Sequence, residues 1–497
     1  MSVSATQEVL LGLDIGSTAT KVVAADRHGT VLHLVERENG MRTTEPGEAV
    51  QDAEAVREAA LAALAECADR VRRSGCSVRA LSFSTAMHSL VGLDERGVPV
   101  TPAFHLSDSR CAEVARKLRG DRQGAAALHR ATGTPVHPQS VMVKLAWLGE
   151  QRPELASGVV RWCALKDVVF TALTGEFVTD QSLASGSGLQ RMSTLDWDEE
   201  ALAVAGVSRD RLPTVRAPTD TLPLTPEAAR RTGLPAGLPV VLGAGDGPLG
   251  NLGVGAVSTG VAGLSLGTSG ALRVMREQPG VDERCRTFCY YLAEGLWVSG
   301  GAVSNGAVVG QWAAETFGVE LGELMDEALR VPTGARGLVA LPYLMGERAP
   351  WWEPGLTGSL VGLRRVHGRA EITRALVEGV AQQLALVRDA VVDTGAEVRA
   401  VRATGGGFRS RVWAEVIAAA LGKELELAEN SGGSALGAVF LGWRALGELE
   451  SLEETVDLVH PSRTVPADPE AVRLLREQRG GIERLHEAVR DLVPGAE

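Results

Sequence analysis

An apolar strand that runs into a turn of glycine and hydroxyl residues occurs twice in this chain, about half a chain apart. The first copy is Leu13-Asp14-Ile15-Gly16-Ser17-Thr18, followed by a second run from Lys21 to Ala25. The second copy is Ser265-Leu266-Gly267-Thr268-Ser269-Gly270, again with an apolar run beyond it. Such a repeat predicts a duplicated domain whose two hairpin turns face each other across a cleft. The remaining pattern agrees. A tight strand meander near the start gives way to strands alternating with helices. One helix starts at Asp52, a suitable N-cap, and carries Val56, Ala60, Ala63, Leu64, Cys67 and Val71 on one face. A strand follows from Arg79 to Ser84. In the second half a buried strand covers Leu238 to Gly247, and a long helix spans about Ala370 to Val392. Val401 to Trp413 reads as strand, glycine triplet and helix start. The predicted class is α/β, two domains of mixed sheets flanked by helices. Their expected extents are 9–247 and 258–449, joined through the small-residue stretch 247–260, with a charged helical segment 450–497 at the periphery.

Charge and cysteine content narrow the function. A net charge of −12 argues against a protein that binds nucleic-acid backbones, which needs a basic surface. It does not argue against a nucleotide, which loop amides, local cations and Mg²⁺ hold. The six cysteines are scattered and form no metal-binding spacing, so free thiols are expected. The polar start of the chain lacks a targeting pattern, and no apolar run approaches the ~20 residues of a membrane span. A cytoplasmic protein is expected.

Phosphate oxygens are held well by backbone N–H groups, and only small residues let the backbone come that close. Gly16, Ser17 and Thr18 supply one such turn, and Gly267 and Thr268 another. Asp14, at the end of its strand, is placed to hold Mg²⁺ through water, and Lys21 to neutralise a transferring phosphoryl group. Gly405-Gly406-Gly407 is a sharp turn that a flat ring could approach. Asp246, in Ala244-Gly245-Asp246-Gly247-Pro248, ends a buried strand, where a carboxylate can take the proton of an attacking hydroxyl. A helix N-cap is the plainer role for an Asp at such a turn. Met87 and His88 end another strand, Asp108 and Arg110 open a helix, and Gln139 lies in a proline-fixed loop.

In this order the motifs resemble the FGGY family of carbohydrate kinases, over about Leu10 to Gly447. The resemblance rests on LGLDIGSTATK, GAGDG, LSLGTSG, GERAPWWEP (Gly346 to Pro354), the run Gly358 to Val380 and TGGGFRSRVW. It implies two ribonuclease H-like domains of the actin and hexokinase superfamily, with ATP and a sugar meeting in the cleft. It implies Asp246 as general base, Asp14 in the Mg²⁺ shell, and Thr18 and Lys21 at the transferring phosphate. Thr268, Gly306, Gly406, Ser410 and Arg411 would line the nucleotide site, and Met87, His88, Asp108, Arg110 and Gln139 the sugar site. A homodimer is a further possibility for the family. Ser82 to Pro102, Thr132 to Leu148 and Gly300 to Trp312 are most similar to its gluconate-phosphorylating branch. That implies an anionic substrate whose carboxylate would meet His88, Arg110, His137 or Lys144. Many relatives carry an aromatic residue where this chain has Leu106, so the resemblance implies a sugar site lacking that wall. The alternatives are the same transfer to xylulose or another polyol, and a nucleotide-gated regulatory protein without turnover.

Overall fold

The computed structural model describes residues 7–428 and 433–490. Each half of the chain is built on five core strands. In the first half these are Glu8–Ile15, Ala19–Ala25, Val31–Glu38, Ser77–Thr85 and Pro239–Gly245. In the second they are Val261–Leu266, Gly270–Arg276, Leu296–Val303, Ala400–Thr404 and Leu425–Leu427. Numbered along the chain within each half, both sets stand in the order 3-2-1-4-5 across their sheet. Strands 1, 2 and 3 are antiparallel neighbours, whereas 1, 4 and 5 run parallel, in both sheets. The duplication expected from two hairpin turns is therefore a duplication of the whole sheet.

Local chemistry explains the elements that matter for the cleft. The Asp52 side chain caps the helix Ala53–Arg73, accepting from the Glu54 and Ala55 N–H groups at 3.0 and 3.1 Å. The expected stripe from Val56 to Val71 is buried against the first sheet. In the second half, the helix Arg369–Asp393 is buried around most of its circumference. That includes the polar Gln382 and Gln383, which donate to Leu475 O at 2.7 Å and to the Tyr343 hydroxyl at 3.0 Å.

The partner that covers Gln382 corrects one expectation. The segment after Glu450 is more than an outer appendage. Its strand Arg463–Val465 extends the second sheet beside Leu425–Leu427. Its helix Pro469–Arg490 buries Leu475 and Ile482 and sets Arg479 against Gln382 and Asp389, each at 3.0 Å. The stretch expected as a linker after Gly247 also differs, because it opens as the helix Asp246–Gly253. All six cysteines are free thiols. Among the described residues no helix is long and apolar enough to cross a membrane.

The helix Asp246–Gly253 follows strand 5 of the first sheet, and Gly433–Ala445 follows strand 5 of the second. They cross with their backbones almost touching. A Cβ on Gly437 would lie 2.0 Å from Leu249 O, and one on Gly253 would lie 2.1 Å from Gly433 O. The second helix also lies on the first sheet, where a Cβ on Gly12 would meet Ala435 O at 2.2 Å. This crossing joins the two halves and puts both helix N-termini at the cleft.

Candidate active site

The two predicted turns are the tips of matching hairpins. Gly16 N–H closes the first by donating to Ala19 O at 3.0 Å, and Gly267 N–H closes the second by donating to Ser269 O at 2.9 Å. Gly267, Thr268 and Ser269 are exposed at their tip. Gly306 supports the second turn from below. Its N–H donates to Thr268 O at 2.9 Å, and the next N–H, from Ala307, donates to Gly267 O at 2.8 Å. A Cβ at Gly306 would sit 2.5 Å from the Ser269 carbonyl carbon, so only glycine fits there. The glycine triplet adjoins the same turn, since a Cβ on Gly405 would meet Leu266 O at 2.3 Å. Gly406 is exposed beyond it, Ser410 is the N-cap of the helix Arg411–Leu421, and Arg411 pairs with Glu415 at 2.7 Å.

A cavity of about 210 Å³ lies between the halves, lined by Asp246, Asn251, Ser265, Arg273, Thr404 and Ser434 among others. Asp246 is the first residue of its helix and Gly245 the N-cap, so the carboxylate is free of the capping role. Burial, and then the neighbouring Asp14 carboxylate, lift its pKa to about 6, against the pull of Arg273 and of the Gly247 and Met87 N–H groups. Asp14 is also raised by burial, against the Ser84 and Ser434 hydroxyls and Lys21. Ser434 Oγ donates to Asp14 Oδ2 at 2.9 Å, whereas Asp14 Oδ1 is shielded from solvent and has no hydrogen-bond partner among the described residues. Lys21 is half exposed and lies 3.5 Å from Glu36. Ser17 Oγ lies 2.7 Å from His105 Nε2, which ties the first turn to the neighbouring chamber. Thr18 is exposed.

That chamber is built mainly from the first half. The Met87 side chain packs on Gly245 and Gly186, and its N–H faces Asp246. His88 adopts φ 70°, an unfavourable region for a residue with a Cβ. The turn aims its imidazole inward, with Nδ1–H donating to Gly186 O at 2.7 Å and Nε2 left as an acceptor. Burial pushes His88 down to about 3 and His137 well below the ordinary range, so both rings are neutral. Gln139 Oε1 is buried without a partner among the described residues. Two aromatic rings of the second half meet the histidines of the first. The Tyr290 ring stands edge-on to His88 at 5.7 Å, and Trp352 to His137 at 5.8 Å.

Three residues have plainer tasks than the sequence suggests. Arg110 is clamped to Asp108 at 2.6 Å and to Glu45 at 2.5 Å, and lies over the Phe104 and Trp147 rings, so its charge is already matched. Asp108 also accepts from Ala49 N–H at 3.2 Å. Lys144 gives its protons to the carbonyls of Gln139, Pro138 and His88 at 2.6, 3.0 and 3.4 Å, and burial lowers it to about 8. Conversely, sequence reasoning passed over Arg273, Tyr290, Glu347 and Arg348. Glu347 is raised to about 7 by burial. It holds the segment before Gly306 by accepting from Ser304 N–H at 2.5 Å and Asn305 Nδ2 at 3.2 Å. The GERAP run containing Glu347 and Arg348 was visible in sequence, but nothing there tells which face meets the cleft.

The geometry is that of two matching glycine turns, a buried carboxylate lining the cavity between the halves and a polar chamber beside it. Residues 9–253 match the N-terminal domain of the FGGY family of carbohydrate kinases, and residues 262–446 match its C-terminal domain. The chain belongs to this family. It is an FGGY kinase, an enzyme that phosphorylates a sugar hydroxyl with ATP as donor. It is 35% identical over 464 residues to the gluconokinase of Bacillus subtilis, covering 90% of both chains. To the xylulose kinase of Escherichia coli it is 29% identical over 490 residues, covering 97% of this chain and 99% of that one. A gluconate kinase structure from Lactobacillus acidophilus superposes with a TM-score of 0.92 at 29% identity, covering 97% of this chain and 98% of the other. Glycerol kinase of Plasmodium falciparum with ADP shares the fold, with a TM-score of 0.85 at 20% identity over 96% and 98% of the two chains.

Proposed function

We propose that this FGGY kinase transfers the γ-phosphoryl group of ATP to the terminal hydroxyl of D-gluconate, giving 6-phospho-D-gluconate. What carries the choice of substrate is the greater identity to gluconokinase, 35% over 90% of the chain, than to the xylulose kinases, at 26–31%. In this reading the Gly16–Thr18 and Gly267–Thr268 turns grip the phosphates through backbone N–H groups. Lys21 and the Gly406, Ser410 and Arg411 region serve the outer phosphates and the adenosine. Asp246 accepts the hydroxyl proton as that oxygen attacks the γ-phosphorus and ADP departs. Met87, His88 and Gln139 orient the sugar, and Asp108 with Arg110 braces the chamber wall.

Asp14 fits a divalent cation. Its Oδ1 is shielded and without a partner among the described residues, and Ser434, which bonds its other oxygen, lines the cavity between the halves. Among the described residues no cluster of three or more His, Cys, Asp or Glu side chains could hold a metal by itself. A cation shared between Asp14 and phosphate oxygens meets both facts, and Mg²⁺ would supply charge neutralisation there. Asp14→Asn is expected to raise the Mg²⁺ concentration for half-maximal rate about tenfold, the effect of removing one charge-assisted ligand. An unchanged Mg²⁺ titration removes Asp14 from the metal shell.

The substrate assignment is tested by coupled assays of ADP release with D-gluconate, D-xylulose and other polyols. The expected result is the highest kcat/KM with D-gluconate. A higher value with D-xylulose overturns the assignment and leaves the kinase chemistry standing.

A further inference from the structure

Two guanidinium groups of the second half reach the cleft, and among the described residues neither forms a salt bridge. Arg273 sits on strand 2 between Gly263 and Gly300 of the adjoining strands, whose lack of side chains leaves its stem room. A Cβ on Gly247 would lie 3.3 Å from Arg273 Nε, which puts the guanidinium next to the start of the Asp246 helix. The hydrogen bond recorded for it is a long one, 3.4 Å from Nη1 to Ser265 Oγ. Arg348 donates from Nη2 to Val303 O at 3.0 Å. Both interact electrostatically with Tyr290 and with Asp246, and the charge of Arg348 is felt at Arg273, His88 and His137. Glu347, the carboxylate with the strongest electrostatic pull on Arg348, is occupied by the N–H groups of Ser304 and Arg348 and by Asn305.

The neutral groups here are donors as well. The Tyr290 hydroxyl is buried without a partner among the described residues, and its ring is stacked on Phe288 at 4.3 Å. Burial raises its pKa, so the proton stays on. Gln139 N–H donates to His137 Nδ1 at 3.2 Å, which puts the proton of this neutral ring on Nε2. His137 Nε2 is likewise buried without a partner among the described residues. Two cations and two orphaned donors thus converge on one wall. A neutral polyol brings about as many donors as acceptors and leaves such a wall half satisfied. A carboxylate brings acceptors only, with negative charge for the guanidiniums.

We infer that Arg273 and Arg348, with the Tyr290 hydroxyl and His137 Nε2–H, form the seat for the carboxylate of a sugar-acid substrate. The inference rests on the gluconate reading above and names the residues that decide it. It replaces the cations expected from sequence, since Arg110 and Lys144 are engaged elsewhere and both histidines are neutral. The other anion that could use these arginines is the phosphoryl group in transfer.

The two sources are separated by comparing D-gluconate with D-gluconamide, its neutral counterpart, at saturating ATP and Mg²⁺. Wild-type enzyme, Arg273→Gln, Arg348→Gln and Tyr290→Phe are assayed with both. The last removes one hydroxyl and keeps the stacked ring, so it reports even if an arginine variant fails to fold. The wild type is expected to favour gluconate in kcat/KM. The arginine variants should lose about 10- to 100-fold with gluconate, and Tyr290→Phe about 5-fold, the range of charge-assisted and ordinary hydrogen bonds. The gluconate-to-gluconamide ratio should fall by the same factors. Equal losses with both substrates overturn the seat and assign the arginines to the phosphoryl group. Gluconate turnover with no wild-type preference over gluconamide also overturns it. A wild type that turns over neither compound but accepts D-xylulose sinks the gluconate reading itself.

Discussion

Asp246→Asn is expected to lower kcat by about 10³-fold while ATP still binds with wild-type affinity, the loss typical of removing a general base. The amide keeps the size and much of the hydrogen bonding of the carboxylate, so folding and the phosphate turns are unaffected. The pH profile gives an independent check. The base works ionised, and its folded pKa is raised to about 6 by burial and by Asp14. Activity is therefore full above about 6 and falls tenfold per pH unit below it as the carboxylate takes up its proton. An ordinary aspartate would place that limb near 4. A limb near 4 shows that Asp14 and burial do not tune Asp246. A variant retaining wild-type kcat removes Asp246 from the chemistry and leaves a nucleotide-binding protein whose turnover needs another base.

The second large effect concerns the joint between the halves. In Gly437→Val the new Cβ would fall 2.0 Å from Leu249 O, a backbone atom that cannot swing aside. The helices Asp246–Gly253 and Gly433–Ala445 must separate, which moves Asp246 and the Ser434 bond to Asp14 together. Overpacking of this kind costs about 3 kcal/mol. The expected result is a thermal midpoint several degrees lower and a loss of kcat that added ATP does not restore. Wild-type unfolding and kcat in this variant would show that the crossing tolerates spreading and does not set the active-site geometry.

The hairpin turns were readable because few residues other than glycine fit where backbone packs on backbone. Gly16 and Gly306 occupy such places, and the order of motifs around them led to the family and to Asp246 as the proposed base. The sugar chamber was read less well. His88 and Gln139 face it, but Arg110 and Lys144, singled out as cations, are consumed by Asp108, Glu45 and backbone carbonyls. Sequence shows that a cation exists and cannot show whether its charge is already matched. Tyr290 and Arg348 were missed for the opposite reason. They belong to the second half and reach a chamber built by the first, across a separation of some 200 residues that no local pattern spans.

The sequence alone determined the duplicated α/β architecture and its two glycine hairpin turns, because each rests on local backbone demands or strand periodicity. The repeat that first suggested a cleft is present as two sheets of the same strand order, each with its hairpin turn. Tertiary structure decided which buried polar groups are satisfied within the protein and which remain open to a ligand. Those outcomes depend on distances between side chains far apart in the chain. Burial, acting on Asp246, His88 and Glu347 alike, then sets which of them carry charge.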